Sequence, residues 1–127
     1  MSDGASDKSI LSLISLCVRA GLLKAGEEKC EKALRKGETK LVIISRDASG
    51  NTKKKFTNKA RYYNVPVVIY GMKHELGKLT GAGVSASLCV TDHNLGGKIK
   101  NAIEHFECGE PSADAASPPG GIEFANI

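Results

Sequence analysis

Aromatic residues and long apolar runs are both scarce in this chain. Tryptophan is absent, and Phe, Trp and Tyr together make up 5% of the residues. This argues against a platform of aromatic rings on which unpaired nucleic-acid bases stack. No uncharged run approaches the roughly 18 to 20 apolar residues that cross a membrane. Because the chain opens with polar and acidic residues, no signal peptide is indicated, and we expect a cytoplasmic protein with no membrane partner.

Metal-binding patterns are also missing. The four cysteines include no CxxC pair, and the three histidines have no spacing typical of a zinc site. Cys17, Cys30 and Cys89 fall on apolar faces, where a reduced cysteine packs as a small hydrophobic residue. Disulfides are not expected in a cytosolic chain. We therefore expect neither a metal nor a cofactor.

Catalytic motifs are incomplete. The segment from Gly71 to Lys78 resembles a phosphate-binding loop, but that loop needs four residues between its glycines and a Ser or Thr after its lysine. Here five residues separate Gly71 from Gly77, and Leu79 follows the lysine. Asp92 followed by His93 fits a helix cap and a solvent-facing histidine better than an acid–base pair. We expect no enzyme, no catalytic residue and no small-molecule substrate.

The hydrophobic pattern alternates between helical and strand periods. Apolar residues recur at helical spacing from Ile10 to Cys17, and Gly21 supplies a left-handed stop after them. Four strands are predicted, the first of them brief: Leu22–Ala25, Leu41–Ile44, Val65–Tyr70 and Leu88–Thr91. Helical patterns precede, separate and follow these strands. This order predicts an α/β fold with helices on both faces of a central sheet.

The third predicted helix is strongly basic. We expect Asn51 or Thr52 to cap its start, and Phe56, Ala60 and Tyr63 to form its inner face. Its outer side carries Lys53, Lys54, Lys55, Lys59 and Arg61.

The pattern stops after Phe106. Three of the four prolines fall beyond it, among serines, alanines and glycines. We predict one domain over residues 1–106 and a disordered tail over residues 107–127.

Charge is unevenly divided between these two parts. All 18 Lys and Arg lie between Lys8 and Lys100, so residues 1–106 carry a net charge of +8 and the last 21 residues carry −4. A basic body favours a polyanionic partner such as RNA or DNA. A solvated, lysine-rich surface explains the same numbers, and charge alone does not decide between the two.

The stretch from Gly26 to Lys36 combines a helix start with a row of lysines. Lys29, Lys32 and Lys36 recur at spacings of three and four, which places them on one helix face. Free N–H groups at a helix start, beside a lysine row, can bind phosphate and reach base edges. A solvated face with the pairs Glu28–Lys32 and Glu31–Arg35 is the alternative.

The segment from Lys24 to Ser49 resembles the kink-turn RNA-binding ribosomal protein family of archaeal and eukaryotic large subunits. Further landmarks of the family follow in chain order: Tyr63-Asn-Val-Pro-Val, Glu75-Leu-Gly-Lys, Gly81 and a small-residue strand at Ser87. The Gly26-Glu-Glu opening and the segment from Asp47 to Lys55 are similar to the stand-alone bacterial YlxQ-type branch. The resemblance covers about residues 8–106.

This resemblance implies a three-layer α/β/α sandwich around a mixed four-stranded sheet. It also implies a non-enzymatic, cytoplasmic and monomeric protein that binds a kink-turn, a bent duplex with tandem sheared G·A pairs, in structured RNA such as ribosomal RNA. The implied RNA-binding residues form two groups. The first is Gly26, Glu27, Glu28, Lys29, Lys32 and Lys36, and the second is the loop Ala82, Gly83 and Val84.

The match departs from the family at two positions of the first group. Glu28 stands where many ribosomal members have asparagine, and Lys29 where they have glutamate. A carboxylate offers only acceptors to a base edge, whereas asparagine offers both a donor and an acceptor. A protein-interaction or regulatory module on the same fold is the alternative function.

Overall fold

The computed structural model describes residues 7–107, in which helices and strands alternate as predicted. The helices are α1 (Asp7–Arg19), α2 (Glu27–Arg35), α3 (Gly50–Tyr62), α4 (Lys73–Thr80) and α5 (His93–Glu107). The strands are β1 (Leu23–Ala25), β2 (Leu41–Ile44), β3 (Val67–Ile69) and β4 (Ser87–Val90). Apart from Glu107, the predicted tail lies outside the described residues.

The four strands form one mixed sheet in the order β1-β4-β2-β3. β4 is antiparallel to both β1 and β2, while β2 and β3 are parallel. The register sets Ala25 opposite Leu88. The expected mixed four-stranded sheet is therefore confirmed.

Helices cover both faces of the sheet, which confirms the three-layer architecture. Because side chains alternate along a strand, Leu41 and Ile43 pack with one set of helices and Val42 and Ile44 with the other. The first layer uses Ile10, Ile14 and Cys17 of α1, Leu76 of α4, and Ile99 and Ile103 of α5. The second uses Cys30 and Leu34 of α2, and Phe56 and Ala60 of α3. Burial on both sides explains the unbroken apolar run of β2.

The start and the inner face of α3 differ from the sequence prediction. Ser49, rather than Asn51 or Thr52, is the cap, because its Oγ accepts from the Thr52 N–H over 3.1 Å. The inner face uses Thr52, Phe56 and Ala60, one residue in every four. Tyr63 lies just past the end of the helix and is 36% exposed, so its expected inward position is wrong.

Both ends of the sheet are built from chain reversals. At one end, β1 leads into α2, and the α4–β4 loop leads into β4; we call it the Gly26 end. At the other end, α2 and α3 finish, β2 and β3 begin, and β4 leads into α5; we call it the Thr39 end. The predicted site residues lie at or beside the Gly26 end, except Lys36, which follows the last residue of α2 towards the Thr39 end.

Candidate nucleic-acid interface

Gly26 fixes where α2 begins. Its backbone has φ 101° and ψ 153°, a region that is essentially restricted to glycine. Its N–H donates to the Ser87 carbonyl oxygen over 3.1 Å, and its own carbonyl accepts from the Cys30 N–H over 3.0 Å. Because glycine has no side chain, it caps none of the first N–H groups of α2. Those groups are oriented to meet the acceptor atoms of a ligand.

The loop Ala82–Val84 is held against α4 by close backbone packing. The N–H groups of Ala82 and Gly83 both donate to the Gly77 carbonyl oxygen, over 2.9 and 3.3 Å. A Cβ on Gly77 would lie 2.4 Å from the carbonyl carbon and oxygen of Gly83, so only glycine permits this approach. All three loop residues are exposed, and Val84 presents 52% of its surface to solvent. The loop is therefore anchored on one side and open on the other.

The structure brings the two groups of predicted residues together. The chain passes from Val84 into β4, whose first residue, Ser87, accepts the Gly26 hydrogen bond. The pairing of β1 with β4 thus sets the start of α2 beside the loop.

A groove of about 440 Å³ lies between α2 and the edge strand β1. Four of its lining residues are lysines: Lys24, Lys29, Lys32 and Lys36. Among the described residues that line this lysine groove, Glu38 alone is acidic. A concave surface with an excess of one sign of charge concentrates counter-ions, and the backbone phosphates of a nucleic acid are such counter-ions.

Of the four lysines in the groove, Lys24 was not among the predicted site residues. It is the middle residue of β1 and is exposed, while its neighbours Leu23 and Ala25 are partly buried. The apolar–polar–apolar pattern of Leu23, Lys24 and Ala25 is the sequence feature that could have indicated an exposed Lys24. A strand of three residues is, however, too short to show from sequence which of its faces is exposed.

Glu27 lies away from the lysine groove. Its Oε2 accepts from the Thr52 hydroxyl over 2.9 Å, and its Oε1 lies 3.3 Å from the Lys55 Nζ. Lys55 also forms an ion pair with Glu31. The ammonium group of Lys55 lowers the pKa of Glu31, and the carboxylate of Glu31 in turn raises the pKa of Lys55. Glu27 and Glu31 therefore fasten α2 to α3.

Glu28 is exposed at the start of α2 but does not line the groove. Its carboxylate belongs to the first turn, where the positive end of the helix dipole favours a negative charge. Of the predicted first group, then, three lysines share the groove, Glu28 faces solvent, and Glu27 contacts the neighbouring helix.

The described residues offer little for metal or thiol chemistry. No cluster of three or more His, Cys, Asp or Glu in residues 7–107 could hold a metal ion. Cys17, Cys30 and Cys89 are free and buried, as predicted, and burial raises the pKa of the Cys17 thiol to about 11.

Asp92 caps α5 by accepting from the Leu95 N–H over 2.8 Å, which confirms the helix-cap interpretation. None of the described helices has the length and apolar character to cross a membrane.

The sequence model of the ribosomal protein L7Ae/L30e/S12e/Gadd45 family matches residues 8–100. The chain belongs to this family. The resemblance drawn from the residues is thereby confirmed, and the curated relatives confirm the bacterial branch.

Two relatives carry the name RNA-binding protein YlxQ. The one from Bacillus subtilis is 34% identical over 92 residues, which are 72% of this chain and 92% of that protein. The one from Enterococcus faecium is 35% identical over 104 residues, which are 82% and 99%. The large ribosomal subunit protein eL8 of Thermoplasma volcanium is 27% identical over 101 residues, which are 73% of this chain and 78% of that protein.

Two solved structures share the fold. A protein of unknown function from Bacillus halodurans has 37% identity and a TM-score of 0.71, over 75% of this chain and 96% of that one. A 15.5 kD RNA binding protein of Giardia lamblia has 22% identity and a TM-score of 0.62, over 78% and 85%. Because its identity is only 22%, the similarity to the Giardia lamblia protein shows a shared fold and nothing about function.

Proposed function

We propose that this protein binds structured RNA at the Gly26 end and along the lysine groove, and that the RNA motif it selects is a kink-turn. Membership in a family with RNA-binding and ribosomal members supports RNA as the partner. The lysine groove supplies the positive charge that RNA binding needs.

One observation carries the proposal: the Gly26–Ser87 hydrogen bond sets the uncapped start of α2 beside the exposed loop. The major groove of a regular A-form duplex is too narrow for side chains to read, so a straight helix offers α2 little. A sharp bend opens that groove. The start of α2 then enters it, while Ala82–Val84 covers the nucleotides displaced at the bend.

Within this site the residues have different roles. Lys32, one turn into α2, donates to guanine acceptors, whereas Lys24, Lys29 and Lys36 contact phosphates along the groove. Gly26 and Gly83 let the backbone approach the RNA closely. Glu27 acts indirectly, by fixing α2 against α3.

The remaining expectations complete the proposal. The protein acts as a non-enzymatic monomer in the cytoplasm, associated with ribosomal RNA, and needs no cofactor or small-molecule substrate. Glu28 is the feature that favours the alternative function. An exposed carboxylate in the first turn of α2 repels phosphate but suits a basic protein partner.

A gel-shift comparison tests the proposal. The probes are a kink-turn RNA and a matched straight duplex, in which Watson–Crick pairs replace the sheared G·A pairs and the bulge is closed. At fixed salt we expect the kink-turn to bind more tightly by at least tenfold. Equal binding to both probes would refute kink-turn selection, and no binding to either would favour the protein-interaction module.

A further inference from the structure

The Thr39 end holds a second cavity, away from the Gly26 end. Its volume is about 440 Å³, within the range of sites that enclose small organic ligands. It is formed where α2 and α3 end, where β2 and β3 start, and where α5 begins. Neither the family resemblance nor the proposed function uses this cavity.

Basic side chains and one aromatic ring line the cavity. Lys40, His93 and Lys100 contribute from the start of β2 and from α5, and Tyr63 contributes from the end of α3. The ring of Tyr62 lies edge-on to that of Tyr63, at 4.9 Å between ring centroids. None of the described lining residues is acidic.

Three carboxylates neighbour these lining residues in the chain or in space: Glu38, Glu104 and Asp92. Glu38 is exposed and lines the lysine groove, and the other two are engaged. Glu104 pairs with Lys100 at 2.9 Å. Asp92 accepts from the Leu95 N–H at the start of α5. Among the described residues no carboxylate forms an ion pair with Lys40, whereas the charge of Lys100 is offset by Glu104.

Two consecutive glycines in α5 also line the cavity, and the fold does not explain them. Glycine inside a helix is unfavourable relative to alanine, yet Gly96 and Gly97 do not have the positive φ that would require it. A Cβ on Gly97 would meet no atom within 4 Å, and one on Gly96 would make only ordinary contacts at 3.6 Å or more. Gly97 is exposed, so a side chain there would occupy open space beside the cavity.

Thr39 adds an independent observation. It lines the cavity and is 4% exposed, and its hydroxyl oxygen has no hydrogen-bond partner. Buried hydroxyls are nearly always paired, so an unpaired one needs an explanation. A ligand in the cavity offers one explanation, because rotation of the Thr39 side chain would let its hydroxyl pair with a polar ligand atom.

We propose that this cavity binds a nucleotide, either free or as an unpaired residue of an RNA strand. The lysines hold its phosphate, Tyr63 packs against its base, and Thr39 with the start of α5 meets its polar groups. A lone phosphate would leave most of the cavity empty, and an apolar ligand would leave the lysines unused. The proposal does not depend on kink-turn binding, because the lysine groove and this cavity share no lining residue.

Amide chemical-shift mapping on the full ¹⁵N-labelled chain tests this site. The probes are adenosine 5′-monophosphate, adenosine, and a uridine tetranucleotide. We expect the monophosphate or the tetranucleotide to shift the amides of Lys40, Tyr63 and Gly97, and adenosine to bind at least tenfold more weakly. Tighter binding of the monophosphate identifies a free nucleotide, and tighter binding of the tetranucleotide identifies an RNA strand. Shifts confined to the Gly26 end, an absence of shifts, or equal affinity for adenosine would overturn the proposal.

Matched variants separate this site from general charge effects. Lys40→Ala should weaken the better probe about tenfold, as loss of one charged hydrogen bond does. Lys98 is an exposed lysine of α5 that does not line the cavity, so Lys98→Ala should change the affinity for the same probe less than twofold. Gly97→Met should abolish binding by filling the cavity, with thermal unfolding used to show that the variant is folded. If Lys40→Ala and Gly97→Met bind the better probe as tightly as the wild type, the proposed site is wrong. The affinity of the same variants for the kink-turn RNA is measured separately, because it tests the proposed function and not this site.

Discussion

The backbone N–H of Gly26 donates to the carbonyl oxygen of Ser87 across 3.1 Å, immediately beyond the last β1–β4 register pair, Ala25 with Leu88. The hydrogen bond therefore continues the sheet ladder up to the first residue before α2. The helix start and the end of the α4–β4 loop are therefore both held by backbone hydrogen bonds of the sheet. Their relative position does not depend on flexible side chains. The backbone of the proposed site is therefore fixed by the fold itself, before any RNA binds.

Replacing Gly26 tests this arrangement. Gly26→Ala should lower the free energy of unfolding by about 1–3 kcal/mol, because alanine does not tolerate φ 101° with ψ 153°. Urea unfolding measures the change. Gly50→Ala is the matched control, since Gly50 begins α3 without a positive φ and a Cβ there meets nothing within 4 Å. Equal effects of the two substitutions would show that the Gly26 backbone conformation is unimportant.

Gly77→Ala should displace the loop. Alanine favours a helix, but its Cβ would lie 2.4 Å from backbone atoms of Gly83. Overpacking of this kind costs about 1–3 kcal/mol of stability, and the shifted loop should also weaken kink-turn binding. Gly97→Ala is the control for stability, because it adds a Cβ to a helix in open space and should stabilise by about 1 kcal/mol. A Gly77→Ala protein of wild-type stability would contradict the packing described.

The ion pair between Glu31 and Lys55 should make stability depend on pH. Lys55 lowers the pKa of Glu31 in the folded protein. The pair therefore stabilises the fold above the unfolded-state pKa of about 4.3, and that contribution is lost as the pH falls through the lowered folded-state value. Glu31→Gln and Lys55→Gln should each flatten the fall in stability on acidification, followed by urea unfolding at a series of pH values. A slope unchanged in Glu31→Gln would show that the pair does not act in solution.

RNA binding should weaken steeply with salt. Each phosphate that a lysine neutralises releases counterions, so a handful of contacts should give a slope of about −3 to −6 in a plot of log affinity against log salt concentration. Lys24→Ala should make this slope shallower by about 0.7–0.9, because Lys24 lines the lysine groove. A flat salt response would contradict RNA binding through this groove.

Local patterns were sufficient to predict α2 and the face that carries its lysines. The spacing predicted that Lys29, Lys32 and Lys36 share one face, and all three line the groove. This follows from helix geometry alone. The alternation of elements likewise predicted helices on both faces of the sheet.

Contacts between distant parts of the chain could not be predicted from those patterns. Glu27 turns toward Thr52, which lies 25 residues away, so its place outside the groove depends on how α2 packs on α3. The β1–β4 pairing, which brings Gly26 to Ser87, joins the first strand to the last. Tyr63 was expected inside because its spacing from Phe56 and Ala60 is helical, but α3 ends one residue earlier.

The relative affinity of Lys32→Ala for kinked and straight RNA tests the proposed function most directly. Lys32 lines the groove one turn into α2, whereas Lys54 is an exposed lysine of α3 outside it. At fixed salt, Lys32→Ala should lose about 1–3 kcal/mol on the kink-turn and much less on the straight duplex. Lys54→Ala should weaken both RNAs slightly and equally, because any phosphate contact it makes is blind to sequence. If Lys32→Ala leaves the ratio of kink-turn to duplex affinity unchanged, α2 does not read a kink-turn, and its exposed face serves another partner.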